Sequence, residues 1–162
     1  MALTDYMTLD EPRAVLGVSD EELENVTLDL PIYSLQLDME LEAVYSGLGQ
    51  LYADTKALAV KTAAQQKLLN VTAVYATYAI SKILLTSASL FAPKRIGDGR
   101  AETERVNDPF QDVRDGVDSA LITLRARLVG ALVGLGLAAA TPSVGRNYFL
   151  AAGLAINPVT NS

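Results

Sequence analysis

Cysteine and histidine are both absent from this chain of 162 residues. Without cysteine there is no disulfide framework, no thiolate metal site and no thiol nucleophile. Without histidine, the commonest general base and the commonest zinc ligand are missing. An enzyme built here would have to work with carboxylates, Lys, Arg, Tyr, Ser and Thr alone, so a protein that is not an enzyme, with no cofactor and no metal, is expected. Counting Asp and Glu does not exclude the paired carboxylates of a glycosidase, but nothing in the sequence singles out a pair. The amino terminus, "MALTDYMTLDEPRAVLG", carries acids where a signal peptide carries a basic region, and it lacks the apolar stretch that follows one. Secretion by that route is not expected. Long apolar runs are also lacking: the longest, residues 128 to 140, has 13 residues, against the roughly 20 of a membrane-spanning helix.

What the chain does have is a charge imbalance along its length. Residues 1 to 54 hold twelve of the nineteen acids and only one base, Arg13, a net of -11, whereas residues 55 to 162 carry a net of +5. Such polarity suits head-to-tail packing, in which the acidic part of one copy meets the basic part of the next. Solvated helix faces would carry the same charges, and both readings stand at this point.

The apolar spacing predicts an all-α fold. Thr8 and Glu11 in "TLDEPRAVLG" have capping-box spacing with Gly17 as a stop, and Ser19 and Glu22 repeat the box at once. Two short helical pieces are expected, not one rod. Pro31 suits a first helical position, after which Ile32, Leu35, Met39, Ala43 and Leu48 follow an approximate helical spacing. Strict alternation between Leu35 and Leu41 leaves a short strand as the other reading, and a helix would have to pack on two sides. Gly47 and Gly49 should end this helix or allow close packing there. From Asp54 to about Phe91 no Gly or Pro occurs, which predicts one long helix of about 50 Å, weakest at Asn70, Val71 and Thr72. Tyr75 and Tyr78 on it read as core or interface residues. The next helix should start at Asp108 and Pro109 with Gln111 closing a box. Its buried stripe is Phe110, Val113, Val117, Leu121, Leu124 and Leu128, and its wet face carries Asp112, Arg114, Asp115, Asp118, Arg125 and Arg127. Past Leu128 the pattern dissolves into a segment where Arg146 is the only charged side chain. The expected organisation is a helical bundle with one long central helix over residues 1 to 128, and an extended apolar carboxyl-terminal arm over residues 129 to 162 that docks on a partner.

The most heavily charged stretch, "FAPKRIGDGRAETERVNDPFQDVRDG", spans residues 91 to 116. It has neither the G-x-x-x-x-G-K-[ST] arrangement nor a G-x-G-x-x-G after a strand, which argues against a nucleotide grip. Asp112, Asp115 and Asp118 lack the alternate spacing and twelfth-position Glu of a calcium loop. Lys94, Arg95, Arg100 and Arg105 form a basic cluster with no interleaved aromatics in a chain of pI ≈ 4.6. That favours contact with acidic protein surface over nucleic acid, with phosphate contact the weaker alternative.

The segments "LGVSDEELEN", "YATYAISKILL" and "APKRIGDGRAETERVNDPFQDVRDGVDSALITLRARL", in this order of helices, resemble the head-tail connector proteins of tailed bacteriophages, also called adaptor or head-completion proteins. The likeness covers roughly residues 8 to 130, with Ile96 to Gly99 and the following Arg100 and Arg105 matching a degenerate turn motif. It implies a virion protein assembled in the host cytoplasm as a homo-oligomeric ring, commonly of twelve copies, between the portal protein and the tail or nozzle proteins. The ring would extend the channel through which DNA passes without sequence-specific binding. Lys94, Arg95, Arg100, Arg105, Arg125, Arg127, Arg146, Tyr148 and Phe149 are the expected contacts to portal or neighbouring subunit. The alternative is a membrane-associated helical protein with residues 128 to 156 as an interfacial or re-entrant segment. That segment lacks the basic flank and Trp anchors of an interfacial helix, so no membrane partner is expected.

Overall fold

The computed structural model describes residues 1 to 86 and 111 to 137. Among these the structure is all-helical, with no strand: a 3-10 turn Leu3–Asp5, then α1 Asp10–Leu16, α2 Asn25–Leu28, α3 Pro31–Glu42, α4 Leu48–Ala57, α5 Ala63–Thr86 and α6 Gln111–Gly134. The 24-residue α5, about 36 Å long, is the central element. It packs against α1, α3, α4 and, most extensively, α6.

The amino-terminal pieces form as short helices, but their starts differ from expectation. α1 begins at Asp10 with Leu9 at its N-cap and no side-chain cap, so Thr8 and Glu11 do not close a box. The stop is as expected: Gly17 takes φ 68°, which lets Val18 N donate to Arg13 O at 3.1 Å. The Ser19–Glu22 box does close, with Ser19 N donating to Glu22 Oε2 at 2.9 Å and Glu22 N to Ser19 Oγ at 3.3 Å. It organises a single turn, and the helix proper, α2, starts only at Asn25. Arg13 ties these pieces together. Only 6% exposed, it donates from Nε to Leu23 O at 2.8 Å, from an Nη to Asn25 Oδ1 at 2.5 Å and from the other to Asp10 Oδ1 at 2.9 Å.

Of the two sides on which the spacing has α3 pack, one is covered among the described residues, and Leu48 of the spaced set is buried in α4. Pro31 occupies its first turn as expected, but Tyr33, Leu37 and Leu41 are the buried residues, while Ile32, Leu35 and Met39 are exposed. At 100° per residue these two sets lie on opposite sides of the helix. The alternation from Leu35 to Leu41 is therefore a helix apolar on two faces, not a strand, and among the described residues only one of those faces is covered. The two glycines that follow serve separate ends. Gly47, at φ 76°, lets the chain turn between α3 and α4. Gly49 lets α4 approach Tyr6, whose Oη would stand 2.9 Å from an added Cβ.

The long helix is interrupted earlier than expected. α4 ends at Ala57 and α5 starts at Ala63, whereas Asn70, Val71 and Thr72 lie inside unbroken helix. The break is another capping box: Thr62 N donates to Gln65 Oε1 at 2.8 Å and Gln65 N to Thr62 Oγ1 at 3.2 Å. By length and composition α5 could cross a membrane, but 61% of its most apolar stretch is buried inside the fold.

α6 buries Val117, Leu124 and Leu128, with Val113 and Leu121 half-buried, as its spacing predicts. It does not lose its pattern at Leu128: Ala131 and Leu132 continue the buried stripe to Gly134. Gly136, at φ 74°, then ends it with Leu137 N donating to Leu132 O at 3.0 Å and Gly136 N to Val133 O at 2.9 Å. Lys82 and Asp118 pair across α5 and α6 at 2.7 Å. The start expected at Asp108 and Pro109, the tail of the expected α5 and residues 138 to 162 of the arm lie outside the described residues.

Candidate interaction surface

Of the nine residues expected to contact a partner, the described ones are Arg125 and Arg127, both on α6. Lys94, Arg95, Arg100, Arg105, Arg146, Tyr148 and Phe149 lie outside the described residues. Arg125 is engaged within the subunit: half-buried, it donates to Ala43 O at 3.0 Å, at the carboxyl-terminal end of α3, where unpaired carbonyls concentrate negative potential. It also faces Tyr75, whose phenol is pushed above its ordinary pKa by burial first and Glu40 second, with Arg125 opposing. Arg127 is exposed.

Two surface features stand out: the residues of the first are those whose spacing marks a helix face, and the second has no signal in the spacing. The first is a ridge on α3. Ile32, Leu35 and Met39 are 50, 59 and 72% exposed, and the exposed Val26 and Leu30 precede them. Glu42 follows on the same line one turn beyond Met39, so the apolar ridge runs into carboxylate. Glu42 accepts a hydrogen bond from Gly47 N at 2.8 Å, which holds it at the end of the helix. An exposed apolar row of this kind marks a contact surface more often than a scattered single residue does.

The second feature is a groove where α1, α5 and α6 meet. Two adjoining hollows, of about 430 and 520 Å³, share Tyr78, Gly116 and Ala120. One reaches Ala14 and Val15 on α1, and the other reaches Val74, Thr123 and Arg127. The groove exists because Gly116 and Ala120 leave the outer edge of α6 without bulk beside Tyr78, and a Cβ on Gly116 would meet nothing within 4 Å. Its walls combine apolar side chains, among them Val74, Val113 and Ala120, with Tyr78 and the hydroxyls of Ser119 and Thr123, and its one charged lining residue is the cation Arg127.

Among the described residues no three carboxylates are grouped to hold a metal. Of the buried hydroxyls, Thr72 Oγ1 has no hydrogen-bond partner among the described residues, and the others bond to the helix backbone. Thr77 Oγ1 donates to Ala73 O at 3.1 Å and lies 3.2 Å from Glu11 Oε2, Ser81 Oγ donates to Thr77 O at 2.9 Å, and Thr55 Oγ1 donates to Leu51 O at 2.7 Å. The chain matches no protein-family model, no curated protein and no solved structure.

Proposed function

We propose that this chain is a structural adaptor of a tailed bacteriophage virion: a ring-forming helical subunit that joins the portal to the tail or nozzle and extends the DNA channel. The observation that carries this reading is the α3 ridge, an apolar row left exposed on a small helical subunit and continued by carboxylate. A subunit that works by being packed between neighbours needs such a face, and a solitary helical domain does not. The charge polarity of the chain supports the same reading, since heterologous contacts between unlike surfaces propagate around a ring. The resemblance over residues 8 to 130 supplies the location at the head-tail junction.

On this reading the role is mechanical and needs no cofactor. Acidic side chains facing the channel would repel phosphate and leave DNA free to pass. The arm, whose one charged side chain is Arg146, supplies with Tyr148 and Phe149 area to bury on the portal, and Lys94, Arg95, Arg100 and Arg105 serve a neighbouring copy. Light scattering and negative-stain imaging of the purified chain, alone and with a candidate portal ring, test it. Rings in solution, or rings formed only on the portal, are expected. A monomer that ignores the portal and binds liposomes overturns the proposal. Charge reversal at Arg100 and Arg105 together should weaken ring formation while leaving the helical circular dichroism and melting temperature unchanged.

A further inference from the structure

We infer that the α3 ridge of one copy docks in the α1/α5/α6 groove of the next, so that the chain assembles head to tail through these two surfaces. The inference rests on the adaptor reading for its setting but on separate observations for its geometry. The ridge and the groove belong to different helices. Both α3 and α1 lean on α5, and the groove has no α3 residue in its lining. A single subunit therefore presents both surfaces.

The two surfaces complement each other in shape and charge. Leu35 and Met39 project as an apolar row, and the groove offers Val74, Ala120 and the ring of Tyr78 over the missing side chain of Gly116, with the hydroxyls of Ser119 and Thr123 also in its lining. The row runs into Glu42, and the groove's one charged lining residue is Arg127, whereas Asp38 beside the row is paired with the Met1 ammonium at 2.9 Å. Seating the apolar row in the groove brings opposite charges to the edge of the contact, where they fix register. A ridge meeting another ridge would instead bring together two α3 helices that each carry Asp38, Glu40 and Glu42 and no base. Because the contact joins two unlike surfaces, each added copy leaves one ridge and one groove open, and the chain grows until it closes.

The absence of cysteine makes this contact directly testable. Met39→Cys places a thiol on the ridge, and Gly116→Cys places one in the groove, where the added Cβ meets nothing within 4 Å. Under mild oxidation by copper-phenanthroline in air, a mixture of the two full-length variants should give a disulfide-linked 1:1 dimer. Each variant alone should give little. Adding Leu35→Asp to the Met39→Cys chain should cut the mixed product by at least about tenfold, because it buries a charge in the apolar part of the contact. A Met39→Cys chain that cross-links to itself as readily as to Gly116→Cys overturns the inference in favour of a ridge-to-ridge contact. No mixed product at all overturns it too. Rings without the mixed product leave the adaptor reading standing and remove this contact. The mixed product from a chain that neither closes into rings nor binds a portal keeps the contact and removes the adaptor reading.

Discussion

Two side chains show how single residues hold this fold. Arg13 is the buried cation among the described residues, and its hydrogen bonds to Leu23 O and Asn25 Oδ1 join α1 to α2 across a loop. Its ion pair with Asp10 adds little, since that carboxylate is 89% exposed. Arg13→Met keeps the buried stem but leaves a carbonyl and an amide oxygen without donors, and should cost about 2 to 3 kcal/mol in urea unfolding with the slope unchanged. A loss under about 0.5 kcal/mol would mean that water replaces both bonds. Tyr6 stacks against Tyr52 with ring centroids 4.9 Å apart, and its Oη lies 3.1 Å from Met1 Sδ. Burial first, then Asp38 and Asp5, push its phenol up to about 12. The folded phenol thus keeps its proton to about pH 12, while the unfolded one releases it near 10. This contribution to stability is complete below pH 10 and is lost as pH rises through the interval to about 12. Tyrosinate absorbance should accordingly show late-ionising amplitude that Tyr6→Phe reduces by one phenol, the part from Tyr52 and Tyr75, which burial also pushes up, remaining.

At the scale of elements, the helix ends decide more than the helix interiors do. α5 starts where Thr62 and Gln65 close a box, inside a run with no Gly or Pro to mark a boundary. Thr62→Ala should destabilise the protein by about 1 kcal/mol, seen as a lower urea midpoint, with Thr62→Ser restoring most of it. The T-x-x-Q signature was present in the sequence at 62 to 65, but the long unbroken run outweighed it as a signal. Gly17, Pro31 and the α6 stripe were legible because a turn residue or a strict period allows one reading. The inward face of α3 was not legible. Apolar residues lie on both sides of that helix, so periodicity alone cannot say which side meets α5, and only the packing of Tyr33, Leu37 and Leu41 decides it. The continuation of α6 past Leu128 was masked by Gly130 and Gly134, whose helix-weakening tendency is outweighed by burial of Ala131 and Leu132.

At the scale of the whole molecule, the charge imbalance was plain in composition, but where it acts was not. The basic residues singled out from sequence lie mostly outside the described helices, and Arg125 spends a donor on Ala43 O within its own subunit. Among the described candidates that leaves Arg127, at the edge of a groove that the sequence does not reveal, since it forms only where Gly116 and Ala120 of α6 meet Tyr78 of α5. If charge steers assembly, self-association should depend on salt in a particular way. Sodium chloride raised from about 0.1 M to 1 M shortens the screening length from about 10 Å to about 3 Å and weakens exposed pairs such as those of Arg127 with the α3 carboxylates. The apolar part of the contact is not screened, and sulfate, which is excluded from protein surface, strengthens it. Sedimentation equilibrium should therefore show weaker association in added chloride and recovery or gain in sulfate of equal ionic strength. Association indifferent to chloride would mean that the acids of residues 1 to 54 are solvated faces and that the apolar ridge alone drives contact. Association abolished equally by both salts would mean that charge alone does, and would remove the ridge from the interface.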